Sequence, residues 1–442
     1  MSGTSRRSAR PSPVRPLARH GRLRKPNPAL ALLKFLGIAM TVVVVSTLSV
    51  AGIAAWDLSR QVKTVHLGNE SEIGPMPEIS AIDGGVNMLL IGSDSRANST
   101  YSYGEDPESE LNDVNILLHI SQDHTNAVAV SFPRDLYVPI PECDDGEGNV
   151  QGPYRQQKIN TALEFGGGSA KGGLACAVKT VEGFTGLSIP FAAMISFDGV
   201  IEMSNAIGGV PVCVAQKIED THTELTLDAG THELQGMDAL KFLRTRYGVG
   251  DGSDITRISS QQVFLSSLVR KVKSADTLTD ITKLYGLAGA AVRNMTFSDS
   301  LKSVDTMVQI AKALQPIDLA KIAFVQYPTY SVDGDGGLYP SDESAELLMT
   351  AIMNDQALAL AAPNPDQRSG SVAAPGTETP ATEAPATEAP VEETPAETPV
   401  EGEATTPTPT PTDPGVVELP SGVLGQSAAQ ETCSVGRALA DQ

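Results

Sequence analysis

The sequence predicts an α/β fold, in which a mixed central sheet is flanked by helices on both faces. Short apolar runs of strand length recur along the chain, and segments with helical spacing separate them. Alternation of this kind is typical of layered α/β domains. The predicted strands are 86–92, 114–120, 126–132, 191–197, 210–214 and 322–327. The predicted helices are 173–186, 198–207, 235–243, 254–272, 299–314 and 341–354.

The first sixty residues predict a membrane anchor. Residues 1–34 contain nine Lys or Arg residues and no acidic residue, and the uncharged apolar stretch 35–56 follows. At about 1.5 Å per residue, a helix of this length crosses the hydrocarbon core of roughly 30 Å. A signal peptide would have a shorter apolar region and a cleavage site of small residues. The basic arm is expected to stay in the cytoplasm, which predicts a single-pass type II protein of the cell membrane whose later residues all lie outside.

Composition divides the remaining chain into four parts. A stalk, 57–85, leads to a domain of ordinary globular composition, 86–361. Residues 362–418 are rich in Pro, Thr, Ala and Glu, a composition that cannot pack a core, so this linker is predicted to be disordered. The segment 419–442 is mildly apolar but too short to fold by itself.

Charge separates the two ends of the chain and excludes one class of partner. The formal charge is −21, and the nine positive charges before residue 35 leave −30 for the remainder. The exported part therefore has no overall basic field. Its sequence also shows no basic helix and no aromatic platform, so nucleic acid binding is not expected. An anionic substrate would have to be held by a local cluster of basic residues.

All four cysteines lie after the predicted anchor, where disulfides persist. They are Cys143, Cys176, Cys213 and Cys433, and three pairings are possible. Cys143 and Cys176 are the candidate pair, because they bracket the segment 158–168 and a bridge there would clamp it. A metal site is less favoured, since the sequence contains no CxxC motif and no His/Cys cluster.

Charged side chains stand next to three of the predicted strands. Asp94 and Arg96 follow the first strand, Asp113 precedes the second, and Arg134 follows the third. Ligands of open α/β sheets bind beyond strand ends, where two carboxylates can hold a divalent cation and guanidinium groups can hold phosphate. The alternative interpretations are capping by each aspartate and a local pair between Arg134 and Asp135.

A second basic group lies near residue 250. Arg244 and Arg246 are two residues apart, and Arg257 and Gln261 are four apart in a helical pattern, so each pair shares a face. Together they could wrap a pyrophosphate, although a lattice of salt bridges is the structural alternative. The glycine-rich segments match neither a P-loop nor a dinucleotide fingerprint, and no nucleophilic triad is present.

Six motifs, in consistent order over about residues 85–275, carry a family resemblance. They are NMLLIGSDSR (87–96), NDVNILLHI (112–120), AVAVSFPRDLYVPIP (127–141), KINTALEFGG (158–167), ISFDGVIEMSNAIGGVPVCV (195–214) and DALKFLRTRYGVGDGSDITRISSQQ (238–262). The chain resembles the LytR-CpsA-Psr family, in the form found in actinobacteria.

The resemblance implies a membrane-anchored phosphotransferase of cell wall assembly. It would move a glycopolymer, of arabinogalactan type in actinobacteria, from a polyprenyl pyrophosphate carrier to peptidoglycan and form a phosphodiester. Asp94 and Asp113 would bind Mg²⁺ (or Mn²⁺) and activate the acceptor hydroxyl. The resemblance assigns pyrophosphate binding to Arg134, which is also catalytic, and to Arg244, Arg246, Arg257 and Gln261.

The remaining implied roles concern the rim and the lipid. Lys158 and Asn160 would shape the rim of the site, and the lipid tail would enter an apolar cavity near Phe191, Ile195 and Phe197.

The sequence departs from the family pattern at two places. Leu111 and Asn112 stand where Arg-Ser is common, and Ser260 stands where Arg is common. One pyrophosphate-binding arginine is therefore missing, and Arg96 is the candidate to replace part of its charge.

Two other functions remain open at this point. One is hydrolysis of the same pyrophosphate by water, and the other is a non-catalytic regulator, or attenuator, that binds the lipid. The cytoplasmic arm argues against a receptor, since some thirty residues rich in Arg and Pro cannot form a signalling domain.

Overall fold

The computed structural model describes residues 28–68, 85–96, 99–101, 110–274, 280–332, 336–360, 370–374 and 415–439. The chain divides into two compact units, Met1–Asp57 and Leu58–Gln442. The predicted basic arm falls almost wholly outside the described residues, as do most of the stalk and most of the linker.

The helices of the described residues match most of the predicted ones to within about two residues. They are α1 (Pro28–Gln61), α2 (Ala162–Phe165), α3 (Gly173–Thr185), α4 (Phe197–Ala206), α5 (Gly236–Arg244), α6 (Asp254–Lys273), α7 (Ile281–Asn294), α8 (Val304–Leu314) and α9 (Asp342–Met353). Across the part of the chain that is described, no helix combines the length and the apolar character needed to cross a membrane.

The strands are short outside the central sheet. In chain order they are β1 (Lys63–Val65), β2 (Val86–Ser93), β3 (Asn112–Ile120), β4 (Ala127–Phe132), β5 (Tyr137–Ile140), β6 (Cys143–Asp144), β7 (Val150–Gln151), β8 (Tyr154–Lys158), β9 (Phe191–Ile195), β10 (Val210–Val214), β11 (Ile218–Asp220), β12 (Leu225–Leu227), β13 (Gly230–Leu234), β14 (Met295–Ser298), β15 (Ile322–Gln326), β16 (Thr329–Ser331), β17 (Leu338–Pro340), β18 (Ala357–Ala359), β19 (Ser371–Ala373), β20 (Val416–Glu418), β21 (Gly425–Ser427) and β22 (Thr432–Ser434).

The central sheet has eight strands in the order β1-β14-β9-β2-β3-β4-β15-β21. Three neighbouring pairs are parallel: β1 with β14, β9 with β2, and β4 with β15. The other neighbours are antiparallel. The mixed sheet predicted from the sequence is confirmed.

Alternate side chains of β2 enter two separate cores. Leu89 and Ile91 pack with side chains of α3 and α9 on one face of the sheet. Val86 and Met88 pack with side chains of α8 on the other face, where part of α6 also contributes. Because successive strand residues point to opposite faces, helices are needed on both sides to cover such a sheet. The predicted covering of both faces is also confirmed.

Two predicted boundaries were wrong because serine caps begin new helices there. The strand predicted over 191–197 ends at Ile195, since the hydroxyl of Ser196 accepts a hydrogen bond from the Gly199 amide and begins α4. The helix predicted over 299–314 is a short 3₁₀ turn followed by α8, which Ser303 caps.

The C-terminal segment completes two sheets of the domain. Strand β21 pairs with β15 at the edge of the central sheet, and β22 pairs with β10 and β19 in a four-stranded sheet. The segment 419–442, which is too short to fold alone, is thus ordered by pairing with β15 and β10, which lie much earlier in the chain. It belongs to the same compact unit as the predicted domain 86–361.

Two disulfides hold this unit together. The predicted candidate pair, Cys143 and Cys176, is bonded, and so are Cys213 and Cys433, which face each other in the pairing of β10 with β22. The second bond spans 220 residues, compared with 33 for the first. It joins the C-terminal segment covalently to the middle of the domain.

Both ends of the predicted linker are attached to this domain. On one side, the Ala374 amide donates to the Glu431 carbonyl, 2.9 Å away. On the other side, β20 pairs with β18. The interior of the linker, 375–414, lies outside the described residues.

Candidate functional site

A cavity of about 480 Å³ lies between the central sheet and the helices α4, α5 and α6. Its interior is apolar, and Ile195 and Phe197 line it, whereas Phe191 is buried in the core of the domain and is not among the lining residues. The other apolar side chains of the interior include Leu90, Ile116, Val200, Leu240, Leu243, Phe264, Leu265 and Leu268. The cavity can therefore accept an extended hydrocarbon.

Charged and polar side chains line the same cavity, and they include six site residues that were predicted from two distant segments of the sequence. These six are Asp113, Arg134, Arg244, Arg246, Arg257 and Gln261, and Asp220 and His222 line the cavity as well. Among the described residues, the cavity lining includes neither Asp94 and Arg96 nor Lys158 and Asn160. A group of four arginines next to an apolar interior suits a ligand with an anionic head and a hydrocarbon tail.

The guanidinium of Arg134 is held by carboxylates on two elements. Nη1 lies 3.1 Å from Oδ1 of Asp113 at the start of β3, and Nε lies 3.7 Å from Oδ1 of Asp254 at the start of α6. The backbone amide of Arg134 also donates to Oδ2 of Asp254, at 2.9 Å. Although burial opposes the charge, Asp113 and Asp254 raise the pKa of Arg134, so it stays cationic.

Asp254 positions two of the arginines, and it is not among the site residues predicted from the sequence. It is 3% exposed, and its Oδ1 also lies 2.7 Å from Nη2 of Arg257, which donates to the carbonyl of Asp113 as well. A buried carboxylate that pairs with two cations fixes both. The available signal was the spacing of Asp254 and Arg257, three residues apart, directly after the capping residue Ser253.

Asp135 connects the predicted rim to the arginines. Its Oδ1 lies 2.7 Å from Nζ of Lys158, and its Oδ2 lies 3.9 Å from both Nε of Arg134 and Nη1 of Arg246. Lys158 is therefore placed beside the arginine cluster by way of this carboxylate. Asn160 is buried, and its Oδ1 has no hydrogen-bond partner among the described residues.

The backbone around Arg246 is held by another buried carboxylate, that of Asp220. Its Oδ2 accepts from the Thr245 hydroxyl at 2.5 Å and from the Arg246 amide at 3.2 Å. Although burial opposes ionisation, these hydrogen bonds keep the pKa of Asp220 below its ordinary value. Nε of Arg246 donates to the carbonyl of Gly252, so the glycine loop supports the side chain.

Contacts with neighbouring helices hold the last two predicted residues in place. The Arg244 guanidinium carbon lies 4.6 Å from the centre of the Phe197 ring, a cation–π contact at the boundary between the polar and apolar parts. The amide nitrogen of Gln261 donates to the carbonyl of Leu243 at 3.0 Å. Through these contacts, the end of α5 and the start of α6 both contribute side chains to the lining of the cavity.

Asp94 follows β2 and lies close enough to Asp113 for the two charges to interact. Burial raises the pKa of Asp94 to about 6, and the charge of Asp113 adds to this, whereas the Leu111 amide and Arg96 oppose it. Oδ1 of Asp94 accepts from that amide at 2.7 Å. Within the described residues, no group of three or more His, Cys, Asp or Glu side chains gathers as a metal site.

The structure shows what two of the departing residues, Asn112 and Ser260, do in this chain. Asn112 is fully buried, and its amide bonds to Asn115 and to the backbone of Ile159 and Leu163, so it organises the interior. Ser260 is also fully buried, and its hydroxyl lies 2.7 Å from that of Ser434 in β22. The C-terminal strand thus lies against this position on α6.

An arginine added at position 111 and one added at position 260 are expected to have opposite effects on stability. Leu111→Arg is expected to fold like the wild type and to keep or improve substrate capture, because Leu111 is only partly buried in a polar region. Ser260→Arg is expected to lose about 3 kcal/mol or more, since it buries an unpaired charge and displaces β22. Chemical denaturation of both variants measures the difference. Wild-type stability of Ser260→Arg would show that β22 does not pack against α6.

The fold and the site together define a class of protein: an α/β domain with an arginine-lined anion site that opens into a deep apolar cavity. The LytR_cpsA_psr family model matches residues 54–352. The chain belongs to this family, as the motifs had indicated.

Curated relatives are similar to this chain over much of its length. The cell wall biosynthesis protein LcpA of Corynebacterium glutamicum is 29% identical over 67% of this chain and 60% of its own length. TagT of Bacillus subtilis, named a polyisoprenyl-teichoic acid–peptidoglycan teichoic acid transferase, is 26% identical over 65% of this chain and 84% of its own length. The chain thus spans less than two thirds of LcpA.

Solved structures similar to this chain include two from family members. A LytR-Csp2A-Psr enzyme from Actinomyces oris has a TM-score of 0.47 and 19% identity, and covers 61% of this chain and 90% of its own. The crystal structure of TagT from B. subtilis has a TM-score of 0.46 and 22% identity, and covers 66% of this chain and 99% of its own.

Proposed function

We propose that this protein transfers a glycopolymer from a polyprenyl pyrophosphate carrier to peptidoglycan and forms a phosphodiester bond. The observation that carries the proposal is the position of four arginines at an apolar cavity of about 480 Å³. Such a site matches an anionic head joined to a hydrocarbon tail. The name of TagT, a teichoic acid transferase acting on peptidoglycan, supports this kind of activity, and the name of LcpA supports a role in cell wall biosynthesis.

The arginines hold the pyrophosphate, and the cavity takes the beginning of the polyprenyl chain. A pyrophosphate diester has two negative charges, which Arg134, Arg246 and Arg257 offset from two sides. Asp254 and Asp135 orient these side chains before the substrate arrives. Preorganised cations stabilise charge that spreads over the phosphoryl oxygens in the transition state.

The carboxylates of Asp94 and Asp113 are suited to bind a divalent cation whose coordination is completed by oxygens of the substrate. Mg²⁺ is often bound by one or two carboxylates together with substrate phosphates, and these two carboxylates lie close enough to repel each other. When bound, Mg²⁺ or Mn²⁺ would neutralise charge on the pyrophosphate. Arg96, which lowers the pKa of Asp94, adds positive charge on the same side.

The reaction is an in-line displacement at the phosphorus that bears the glycopolymer. A sugar hydroxyl of peptidoglycan attacks this phosphorus, the bond to the bridging oxygen breaks, and polyprenyl phosphate leaves. We assign the hydroxyl proton to Asp94. In the absence of a cation, burial raises the pKa of Asp94 to about 6, so the carboxylate is more basic than an exposed one.

Single-turnover kinetics with a lipid-linked glycan test the proposal. Polyprenyl phosphate is expected to be released quickly when solubilised peptidoglycan is present, with the glycan found on the peptidoglycan. If polyprenyl phosphate and free glycan phosphate are released together, whether or not peptidoglycan is added, the result would favour hydrolysis. Binding without any release would favour the attenuator.

From the sequence alone, we also infer that the apolar stretch 35–56 anchors the protein in the cell membrane with the domain outside. Nine Lys or Arg residues precede Phe35, and the large apolar side chains described in α1, such as Leu33 and Met40, are exposed. Protease added to intact, wall-stripped cells is expected to degrade residues after 57, whereas a tag at the N-terminus should be protected. Complete protection of the domain would contradict this topology.

A further inference from the structure

A second cleft, of about 330 Å³, adjoins the arginine cluster at Arg246. Arg246 lines both this cleft and the apolar cavity, and Asp135 and Asp254 line the cleft as well. Residues that orient the arginines therefore lie between this cleft and the apolar cavity. A ligand held at the arginines has access to both.

The remaining walls of the cleft have mixed chemistry and include residues from two further parts of the chain. The hairpin of β16 and β17 provides the hydroxyls of Thr329 and Ser331, and the C-terminal segment provides Gly422 and Leu424. The backbone amide of Gln326 donates to the carbonyl of Leu424 at 2.8 Å, which holds that segment in place. Hydroxyls beside apolar side chains match a sugar ring, which has hydroxyl edges and C–H faces.

Gln326 supplies a buried acceptor that lacks a partner. The residue is 3% exposed, and its Nε2 donates to the Ser259 hydroxyl at 2.8 Å, which orients the amide. Its Oε1 has no hydrogen bond among the described residues. A buried acceptor without a donor costs free energy, so a ligand hydroxyl that donates to it would gain from binding.

We propose that this cleft binds a sugar adjacent to the transferred phosphorus, with Gln326 accepting one of its hydroxyl groups. The proposal rests on the transferase function and names the subsite beside the pyrophosphate. The sugar is either the first residue of the glycopolymer or the acceptor of peptidoglycan. Since the C-terminal wall lies beyond residue 352, where the family match ends, this wall sets a sugar preference that belongs to this chain.

Binding of two lipid probes tests the cleft separately from the function. One probe is polyprenyl pyrophosphate, and the other has a single hexosamine on the same pyrophosphate. Thr329→Trp and Ser331→Trp each place an indole in the cleft, whereas Tyr330→Trp places it on the opposite face of the same strand and is the matched control. Thermal melts of all three variants establish folding.

If the cleft holds the donor sugar, the wild type binds the glycosylated probe about tenfold more tightly than the bare one. The two cleft variants lose this preference, and Tyr330→Trp keeps it. If the cleft holds the acceptor, the cleft variants bind both probes normally but show a raised KM for solubilised peptidoglycan.

Two results would overturn the proposal. In the first, both cleft variants keep the wild-type preference for the glycosylated probe and the wild-type KM for solubilised peptidoglycan. In the second, these variants bind the bare probe more weakly than the wild type does. Failure of the wild type to bind either probe would instead contradict the proposed function.

Discussion

Asp94→Asn is expected to slow single-turnover release of polyprenyl phosphate by roughly 100-fold or more while the domain stays folded. The substitution removes the negative charge that would help to hold the cation and accept the hydroxyl proton. The amide oxygen can still accept the Leu111 N–H, so the local structure is kept. Because burial penalises the charged form of Asp94, the neutral residue should not lower the melting temperature.

The matched control is Asp228→Asn, which removes the same charge from an exposed carboxylate that does not line the cavity. It should retain the wild-type rate. A near-normal rate for Asp94→Asn, measured with added Mg²⁺, would show that Asp94 is a structural residue that only caps the Leu111 amide. The assignment of catalysis to the two carboxylates would then have to be withdrawn.

Removal of the Cys213–Cys433 disulfide is expected to have the largest effect on stability. In the loop-entropy account, cross-linking 220 residues contributes on the order of 5 kcal/mol, compared with about 4 kcal/mol for the 33-residue loop of Cys143 and Cys176. The double variant Cys213→Ala/Cys433→Ala should therefore unfold at lower denaturant than Cys143→Ala/Cys176→Ala. Chemical denaturation of both variants, made under identical conditions, checks the order.

Loss of this bond should also weaken the pyrophosphate site. The Gly250 amide donates to the Val435 carbonyl at 2.9 Å, and the Arg437 amide donates to the Gly248 carbonyl at 2.9 Å, so the C-terminal segment holds the loop that supports Arg246. A fall in stability with unchanged affinity for polyprenyl pyrophosphate would show that the segment stabilises the domain without positioning the arginine.

The central strands could be predicted from the sequence because their apolar runs are longer and more regular than any competing pattern. Strands β2, β3 and β4 appear within two residues of the predicted bounds. Helix α7 and strand β14 were missed. Helix α7 has a run of small residues in its second half (Gly286 and 288–291), and β14 has only four residues.

The arginines of the candidate site could also be identified, because spacing along one element is a local property. Arg257 and Gln261 lie on one face of α6 simply because they are four residues apart. Their convergence with Arg134 could be proposed from the chemistry of the residues alone. The contact that fixes it, through Asp254, joins residues 120 positions apart and leaves no periodic signal.

By itself, the sequence determined the class of fold, the strands of its centre, the residue types of the anion site and the family. Those properties depend on local periodicity and short motifs, which the order of residues contains directly. Only the tertiary structure decided that Asp254 and Asp135 position the arginines, that β22 lies against Ser260, and that residues after 415 complete the sheets. These contacts join distant segments, and their free energy arises only when the whole domain has packed.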